Sequence, residues 1–278
     1  MNPDLTQHNE IDEITRELMS AYEAGSKVAA PTSQRPGFSL DAAYAVEAEL
    51  KHLREAEGHK AIGRKVGYAN KAAWRVLKLE TLVWAHMYED TVHFSNSNSA
   101  TLTLPKTRSL KIEPEIVFGM KEQVAGEKPD ANAALAAVEW LAMGFEIIDC
   151  PFPDWKFQPS DFVASFGLHA ALVVGERLRV APDNIATLID ALEKFKVRMS
   201  KDGEFVEEGS GRNSLKSPAL CLAELSTAIA DRFPDEPLSG GEIVSSGTLT
   251  AGHPLEVNNL WKAELEGLAL PPLMLRLE

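Results

Sequence analysis

Glu113 and Glu115 stand two residues apart in the run Lys111-Ile112-Glu113-Pro114-Glu115-Ile116-Val117-Phe118. Read as a strand, whose side chains alternate faces, the run puts Glu113, Glu115 and Val117 on one side. Ile112, Pro114, Ile116 and Phe118 share the other, an apolar face fit for a core. Two adjacent carboxylates on a half-buried strand repel each other and resist leaving water. A solvated outer face would tolerate them, whereas Pro114, a residue of strand edges and bulges, points to a re-aimed site. A third carboxylate, Glu146, lies inside the apolar run Met143-Gly144-Phe145-Glu146-Ile147-Ile148, after an alanine-rich, helix-like segment. A glutamate in such a run needs a partner to stay charged. Three carboxylates withdrawn from water, with no basic cluster beside them, suggest a hard divalent cation bound through oxygen.

Two further residue types can move protons. In Ala61-Ile62-Gly63-Arg64-Lys65-Val66-Gly67-Tyr68, which reads as a short strand, glycines flank a basic pair and allow close backbone approach. Lys65 is then either a solvated edge lysine or a cation of the site. The seven histidines show no metal-ligand spacing. His169 alone lies in an apolar run, Phe166-Gly167-Leu168-His169-Ala170-Ala171-Leu172, as a hydrogen-bonded core histidine or as an acid or base. The chain has no G-x-x-x-x-G-K-[ST] loop, no G-x-G-x-x-G after a strand, no G-x-S-x-G elbow and no H-E-x-x-H.

The elements that must position these residues follow from length and pattern. A chain of 278 residues, 45% hydrophobic and 25% charged, can bury a sizeable core as one large domain or a large and a small one. A formal net charge of −13 argues against nucleic acid or an anionic membrane as the main partner. No apolar run approaches the ~18 residues of a membrane span. The start, Met1-Asn2-Pro3-Asp4, lacks the basic and apolar regions of a signal peptide, and two cysteines, Cys150 and Cys221, make no disulfide framework. A reduced, cytoplasmic protein is expected.

Ile11, Ile14, Leu18 and Tyr22 mark a first helix, and Ser39 caps a second carrying Val46, Leu50 and Leu53. Asn70 caps a short helix through Trp74 and Leu77. The stretch Leu82 to Asp90 reads as an aromatic loop, and Ser95–Ser99 as a polar one. From Thr101 strands dominate, interrupted by a helix capped by Asp130 with Leu135, Val138 and Leu141 on one face, and by a second from about Pro218 to Arg232. Lys201-Asp202-Gly203-Glu204 signals a hairpin. The architecture is α+β: a helical N-terminal region with the Lys65 strand over residues 1–78, and a β-rich metal-binding domain over 79–278.

Four motifs, in order, carry a resemblance: Gly63-Arg64-Lys65-Val66-Gly67, the stretch from Trp84 to Asp90, Ile112-Glu113-Pro114-Glu115, and Glu146-Ile147-Ile148-Asp149. Together they resemble the fumarylacetoacetate-hydrolase superfamily, and more closely its branch of 2-hydroxypenta-2,4-dienoate (2-keto-4-pentenoate) hydratases and 4-oxalocrotonate decarboxylases. The resemblance spans nearly the whole chain and ends at Gly241-Glu242-Ile243-Val244-Ser245-Ser246-Gly247-Thr248, similar to that branch's G-D-x-[IV]-x-x-G-[AST]. Each motif alone is weak; four in register are strong. The resemblance implies a mixed β-roll with a small helical N-terminal region, a Mg²⁺ or Mn²⁺ held by Glu113, Glu115 and Glu146, and a homo-oligomer. It places Lys65 and Asp90 in the active site, with His169 a further candidate acid or base. Arg64, Phe166 and Thr248 are candidates for touching substrate.

The implied activity is that of a metal-dependent lyase acting on an enolisable 2-oxo acid, a 2-keto-4-pentenoate hydratase-like hydro-lyase of aromatic meta-cleavage catabolism. The alternatives are a 4-oxalocrotonate decarboxylase-like carboxy-lyase, a C–C hydrolase of acylpyruvates or β-diketo acids, and an inactive subunit of a partner enzyme. Mg²⁺ prefers six oxygens, so three carboxylates leave about three positions for water and a bidentate 2-oxo acid. Two departures bear on substrate. Cys150-Pro151-Phe152 follows Asp149 where the branch usually reads S-R-Y, which removes an arginine. Ser165-Phe166 replaces its Asp-Asn pair, which brings apolar bulk. Both favour a bulkier or more apolar monocarboxylate over a dicarboxylate.

Overall fold

A computed structural model of the chain describes residues 3–95, 97–104 and 109–278; Met1 and Asn2 of the start and Asn96 of the polar tract lie outside them. The first third is helical, as its periodicity requires. α1 (Pro3–Ala24) buries Ile11, Ile14 and Leu18, a one-turn α2 covers Pro31–Gln34, and α3 (Leu40–Ala56) buries Val46 and Leu50. Ser39 caps α3 by accepting from the Ala42 N–H at 3.1 Å, and Asn70 caps α4 (Lys71–Leu77) by accepting from Ala72 at 3.0 Å. Between α3 and α4 runs β1 (Ala61–Gly67), the strand of Lys65.

The strands that follow in chain order are β2 (Val83–Tyr88), β3 (Val92–Phe94), β4 (Ser99–Leu102), β5 (Leu110–Met120), β6 (Val138–Asp149), β7 (His169–Arg179), β8 (Lys196–Lys201), β9 (Glu204–Ser210), β10 (Ile243–Ser245), β11 (His253–Pro254), β12 (Leu260–Glu266) and β13 (Leu273–Leu277). An eight-stranded sheet runs β2-β1-β10-β5-β6-β7-β3, with β11 also on β5, and a five-stranded sheet runs β4-β13-β12-β8-β9. Helices α5 (Ala131–Ala136), α6 (Pro159–Ala164), α7 (Ile185–Lys194) and α8 (Pro218–Arg232) fill the connections. Asp202 and Gly203, both at positive φ (52° and 88°), make the expected hairpin turn between β8 and β9. Among the described residues no helix is long and apolar enough to cross a membrane.

β5 keeps the alternation read from its sequence. Ile112, Ile116 and Phe118 enter the main core, while Val117 joins a second cluster on the other face with Met87, Ala142 and Leu172. Pro114 is not at a sheet edge. It sits mid-sheet, in the gap between β10, paired with residues 117–119, and β11, paired with 111–112. Its carbonyl accepts from Leu249 N–H at 2.9 Å across that gap, so the missing proline N–H also faces a place where no ladder bond is formed.

Four segments differ from the expectation. Val83–Tyr88 is a strand rather than a loop, because all six residues are buried, with Val83, Ala85 and Met87 on one face and Trp84, Tyr88 and a Glu47-paired His86 on the other. The helix capped by Asp130 ends at Ala136, and Val138 and Leu141 belong to β6. Two helices beyond the two expected also interrupt the strands after Thr101, α6 and α7.

Candidate metal centre

β5 and β6 pair in a register that sets Glu113 opposite Glu146 and Glu115 opposite Gly144. Carboxylate oxygens of all three glutamates lie within 4.8 Å of one another. Glu115 and Glu146 are buried and Glu113 is half-buried. Glycine at 144 leaves the room this requires, since a Cβ there would stand 2.4 Å from Val117 Cγ2.

The protein engages only part of these carboxylates. Glu115 Oε2 accepts from the Ser245 hydroxyl and from Gly247 N–H (2.8 Å), while its Oε1 is buried without a hydrogen-bond partner. Glu146 Oε1 is 3.0 Å from His169 Nδ1. Its Oε2 lies 3.0 Å from Lys65 Nζ, close enough for an ion pair but off the line of a hydrogen bond. Lys65 is itself buried, donates to Gly167 O at 3.0 Å, and has Nζ 4.9 Å from the centre of the Phe162 ring.

The electrostatics are those of a site short of positive charge. Burial pushes the Glu113 carboxyl up to about 7, against the pull of Lys65 and with the push of Glu146. Burial and the Glu146 charge drive Glu115 well above the usual carboxylate range. Glu146 is lowered, because Lys65 and His169 outweigh its burial. Lys65 is raised despite burial, because Glu146, Glu113 and Glu115 all favour its ammonium. An oxygen donor set with a buried, unpartnered carboxylate oxygen and two carboxyls inclined to hold protons fits a divalent cation.

A pocket of about 300 Å³ opens on this cluster. Glu113 and Lys65 reach it, Thr248 and Gly252 line one side, and Tyr68, Trp155, Phe157 and Phe162 form an aromatic wall. Of the residues expected from the sequence, the three glutamates, Lys65 and Thr248 are therefore brought together. His169 stands behind Glu146, with Nε2 3.0 Å from Thr91 Oγ1, and does not line the pocket.

Three expected residues lie elsewhere. Arg64 follows the strand alternation to the opposite face from Lys65, where it pairs with Glu242 and lies over Trp84 at 5.2 Å. Asp90 is held at the surface by Arg54 (2.8 Å) and His59 (3.2 Å). Phe166 packs on Tyr22 with ring centroids 4.6 Å apart, so the bulk expected from it does not reach substrate. The wall comes from residues that the sequence reading passes over, Trp155, Phe157 and Phe162. It also passes over Ser245, which anchors Glu115, and Lys111, which shares the Glu113 face of β5 and lines the pocket. The period of two in a strand already points to Lys111.

Comparison with known proteins gives the same picture. No family model matches the chain. A 2-hydroxyhexa-2,4-dienoate hydratase of Comamonas testosteroni is 26% identical over 251 residues, covering 90% of this chain and 92% of that protein. A 4-oxalocrotonate decarboxylase of Pseudomonas sp. (strain CF600) is 28% identical over 237 residues, covering 85% and 86%. The chain is homologous to these hydratases and decarboxylases. The solved structure of a 4-oxalocrotonate decarboxylase from Pseudomonas putida G7, complexed with magnesium and adipate, superposes with a TM-score of 0.86 at 22% identity, covering 98% of each chain. The fold is thus of the fumarylacetoacetate-hydrolase type, as its motifs implied.

Proposed function

We propose that this protein is a divalent-metal-dependent lyase acting on an enolisable 2-oxo acid, and that it hydrates a 2-keto-4-pentenoate-type substrate of aromatic meta-cleavage catabolism. The observation that carries the reading is the convergence of Glu113, Glu115 and Glu146 within 4.8 Å beside a buried lysine, at an aromatic-walled pocket. The names of the homologous hydratases support the substrate class.

In this reading Glu113, Glu115 and Glu146 hold Mg²⁺, or Mn²⁺ as the alternative. When bound, such an ion supplies Lewis-acid stabilisation of charge developing on substrate oxygens. In the metal-free chain the surrounding carboxylates favour the Lys65 ammonium; in turnover its Nζ delivers a proton to the carbon chain of the substrate and recovers one from the water whose oxygen adds to that chain. Gly167 O and the Phe162 ring fix the direction of that ammonium. His169 acts through Glu146, whose Oε1 it holds, and is a positioning residue. Tyr68, Trp155, Phe157 and Phe162 receive the unsaturated chain and keep bulk water from it. Homo-oligomeric assembly belongs to the same proposal, supported by the exposed Phe94, Phe205 and Val257, and sedimentation measures it.

The test is a screen of dienoates, 4-oxalocrotonate and acylpyruvates with Mg²⁺ and with chelator. Water addition to a dienoate that is lost in chelator and restored by Mg²⁺ is the expected result. Metal-independent turnover, or none with any 2-oxo acid, would sink the reading. Decarboxylation is the second reading, favoured by the cationic Lys111 at the pocket wall.

A further inference from the structure

We propose that a groove beside the metal centre is the entry route of the substrate, and that Lys71, Lys128, Arg212 and Lys216 steer the anionic 2-oxo acid along it. The inference rests on the proposed function, which sets the 2-oxo acid at the three glutamates. It needs only the one carboxylate that every such acid carries.

The chain as a whole has the wrong sign for such a substrate, since a formal net charge of −13 repels an anion. The groove has the opposite sign. Its volume is about 750 Å³, and it abuts the pocket of the metal centre, because Ala69, Asn70 and Asn213 line both. The four cations line it against one carboxylate, Glu224, which accepts from the Thr81 hydroxyl at 2.7 Å. Arg212 is shared with Glu193 at 3.0 Å on open surface, where water screens the pair. Among the described residues no carboxylate comes within 4.0 Å of the Nζ of Lys71, Lys128 or Lys216.

The fold fixes where this charge stands. Lys71 opens α4, next to its cap Asn70. Arg212 and Lys216 bound a turn before α8 in which Leu215 and Lys216 take φ of 48° and 71°, a left-handed conformation uncommon outside glycine. Three hydrogen bonds dock that turn on the pocket rim and on the segment after β10: Leu215 N–H donates to Ala69 O at 2.8 Å, Asn213 Nδ2 to Leu249 O at 2.7 Å and the Ser214 hydroxyl to Ser246 O at 2.6 Å. At physiological ionic strength a charge is screened over about 8 Å, so an anion in the groove feels these cations before the distant acids of the chain. Rim charges act on the rate of encounter more than on the lifetime of the complex.

The experiment is stopped-flow tryptophan fluorescence of the Mg²⁺-loaded protein mixed with 2-oxopentanoate, read through Trp155 of the pocket wall. Association by the wild type is expected to slow at least about threefold between about 20 mM and about 500 mM salt, with dissociation changed by less than about twofold. If the net charge governed encounter, association would quicken with salt instead, and that sign overturns the proposal. Lys71→Gln, Lys128→Gln and Lys216→Gln combined should slow association about three- to tenfold at low salt and remove most of its salt dependence. Lys128→Gln alone should slow it more than Lys60→Gln, which removes an exposed charge at the other end of β1, about 20 Å along the strand from Gly67 at the pocket. Unchanged association in the combined variant overturns the proposal. So does a loss that lies in dissociation, which would make the groove part of the binding site rather than its approach. A Mg²⁺ titration of the combined variant separates a lost route from a lost metal site. If 2-oxopentanoate does not bind the loaded wild type, the proposed function fails and takes this inference with it.

Discussion

Glu115 gives one oxygen to Ser245 and Gly247 and keeps the other buried and unpaired, an asymmetry that suits the metal ligand proposed for it better than an ordinary buried carboxylate. Removing a charge from this set should weaken cation binding strongly, because affinity follows the charge and number of oxygen ligands. Glu115→Gln and Glu146→Gln are each expected to lose Mg²⁺ binding by at least about tenfold in calorimetric titration. Glu139→Gln, exposed on the same strand as Glu146, should bind as the wild type does. Undiminished affinity in both ligand variants would refute the assignment. Lys65→Met should retain Mg²⁺ yet lose about 10²-fold in kcat, the usual scale for a positioned proton donor. A change under about twofold would leave Lys65 a buried counter-ion with no part in turnover. The glutamates and Lys65 were legible in the sequence because charged residues in apolar runs are rare and need partners. Arg64 and Phe166 lie outside the pocket for a local reason: one position along a strand reverses the face, and a left-handed Phe166 (φ 55°) turns its ring toward Tyr22.

The elements around the site show what patterning can and cannot reveal. β5 has one face in the core and one at the pocket, so its alternation is plain in the sequence. β2 is buried on both faces and shows none, which makes a strand look like an aromatic loop. α7 carries Ile185, Leu188, Ile189 and Leu192 at helical spacing, a signal that reading the region as strands overlooks. The gap beside Pro114 is closed by the segment between β10 and β11, and no local pattern announces that. There Ser246 N–H donates to Ile116 O at 3.1 Å, and Gly252 passes so close to Glu113 that a Cβ would stand 2.8 Å from Oε1. The clash falls on the free end of a flexible side chain, so Gly252→Ala should cost little stability and displace a ligand instead. Mg²⁺ affinity is expected to fall severalfold with Tm within about 2 °C of wild type. A large loss of Tm with intact affinity would show that the loop supports the fold rather than the ligand.

Across the molecule, the clustered glutamates tie folding to pH and, on the proposed function, to metal. The Glu113 carboxyl, ordinarily near 4.5, is pushed up to about 7 by burial in the folded, metal-free chain. The folded state then binds that proton more tightly than the unfolded one. Its contribution to stability is complete below about pH 4.5 and is lost as pH rises through about 7. Glu115 is shifted the same way and extends the loss to higher pH. Glu146 and Lys65 oppose this only in part: a lowered carboxyl adds stability above its unfolded value, and a raised lysine loses its share only in the alkaline range. Glu113 is partly open to the pocket, so water screens its shift, and its effect is on the order of 1–3 kcal/mol. In chelator, Tm should therefore fall by a few degrees between about pH 5 and about pH 8, and Glu113→Gln should flatten that slope. Adding Mg²⁺ should raise Tm, by linkage to the folded state, and raise it more at about pH 8 than at about pH 5, since bound cation and bound proton compete for the same oxygens. Calorimetry in buffers of different ionisation enthalpy should show protons released as Mg²⁺ binds. A Mg²⁺ increment in Tm that does not grow with pH would mean that the glutamates are already ionised without metal, balanced by Lys65 alone.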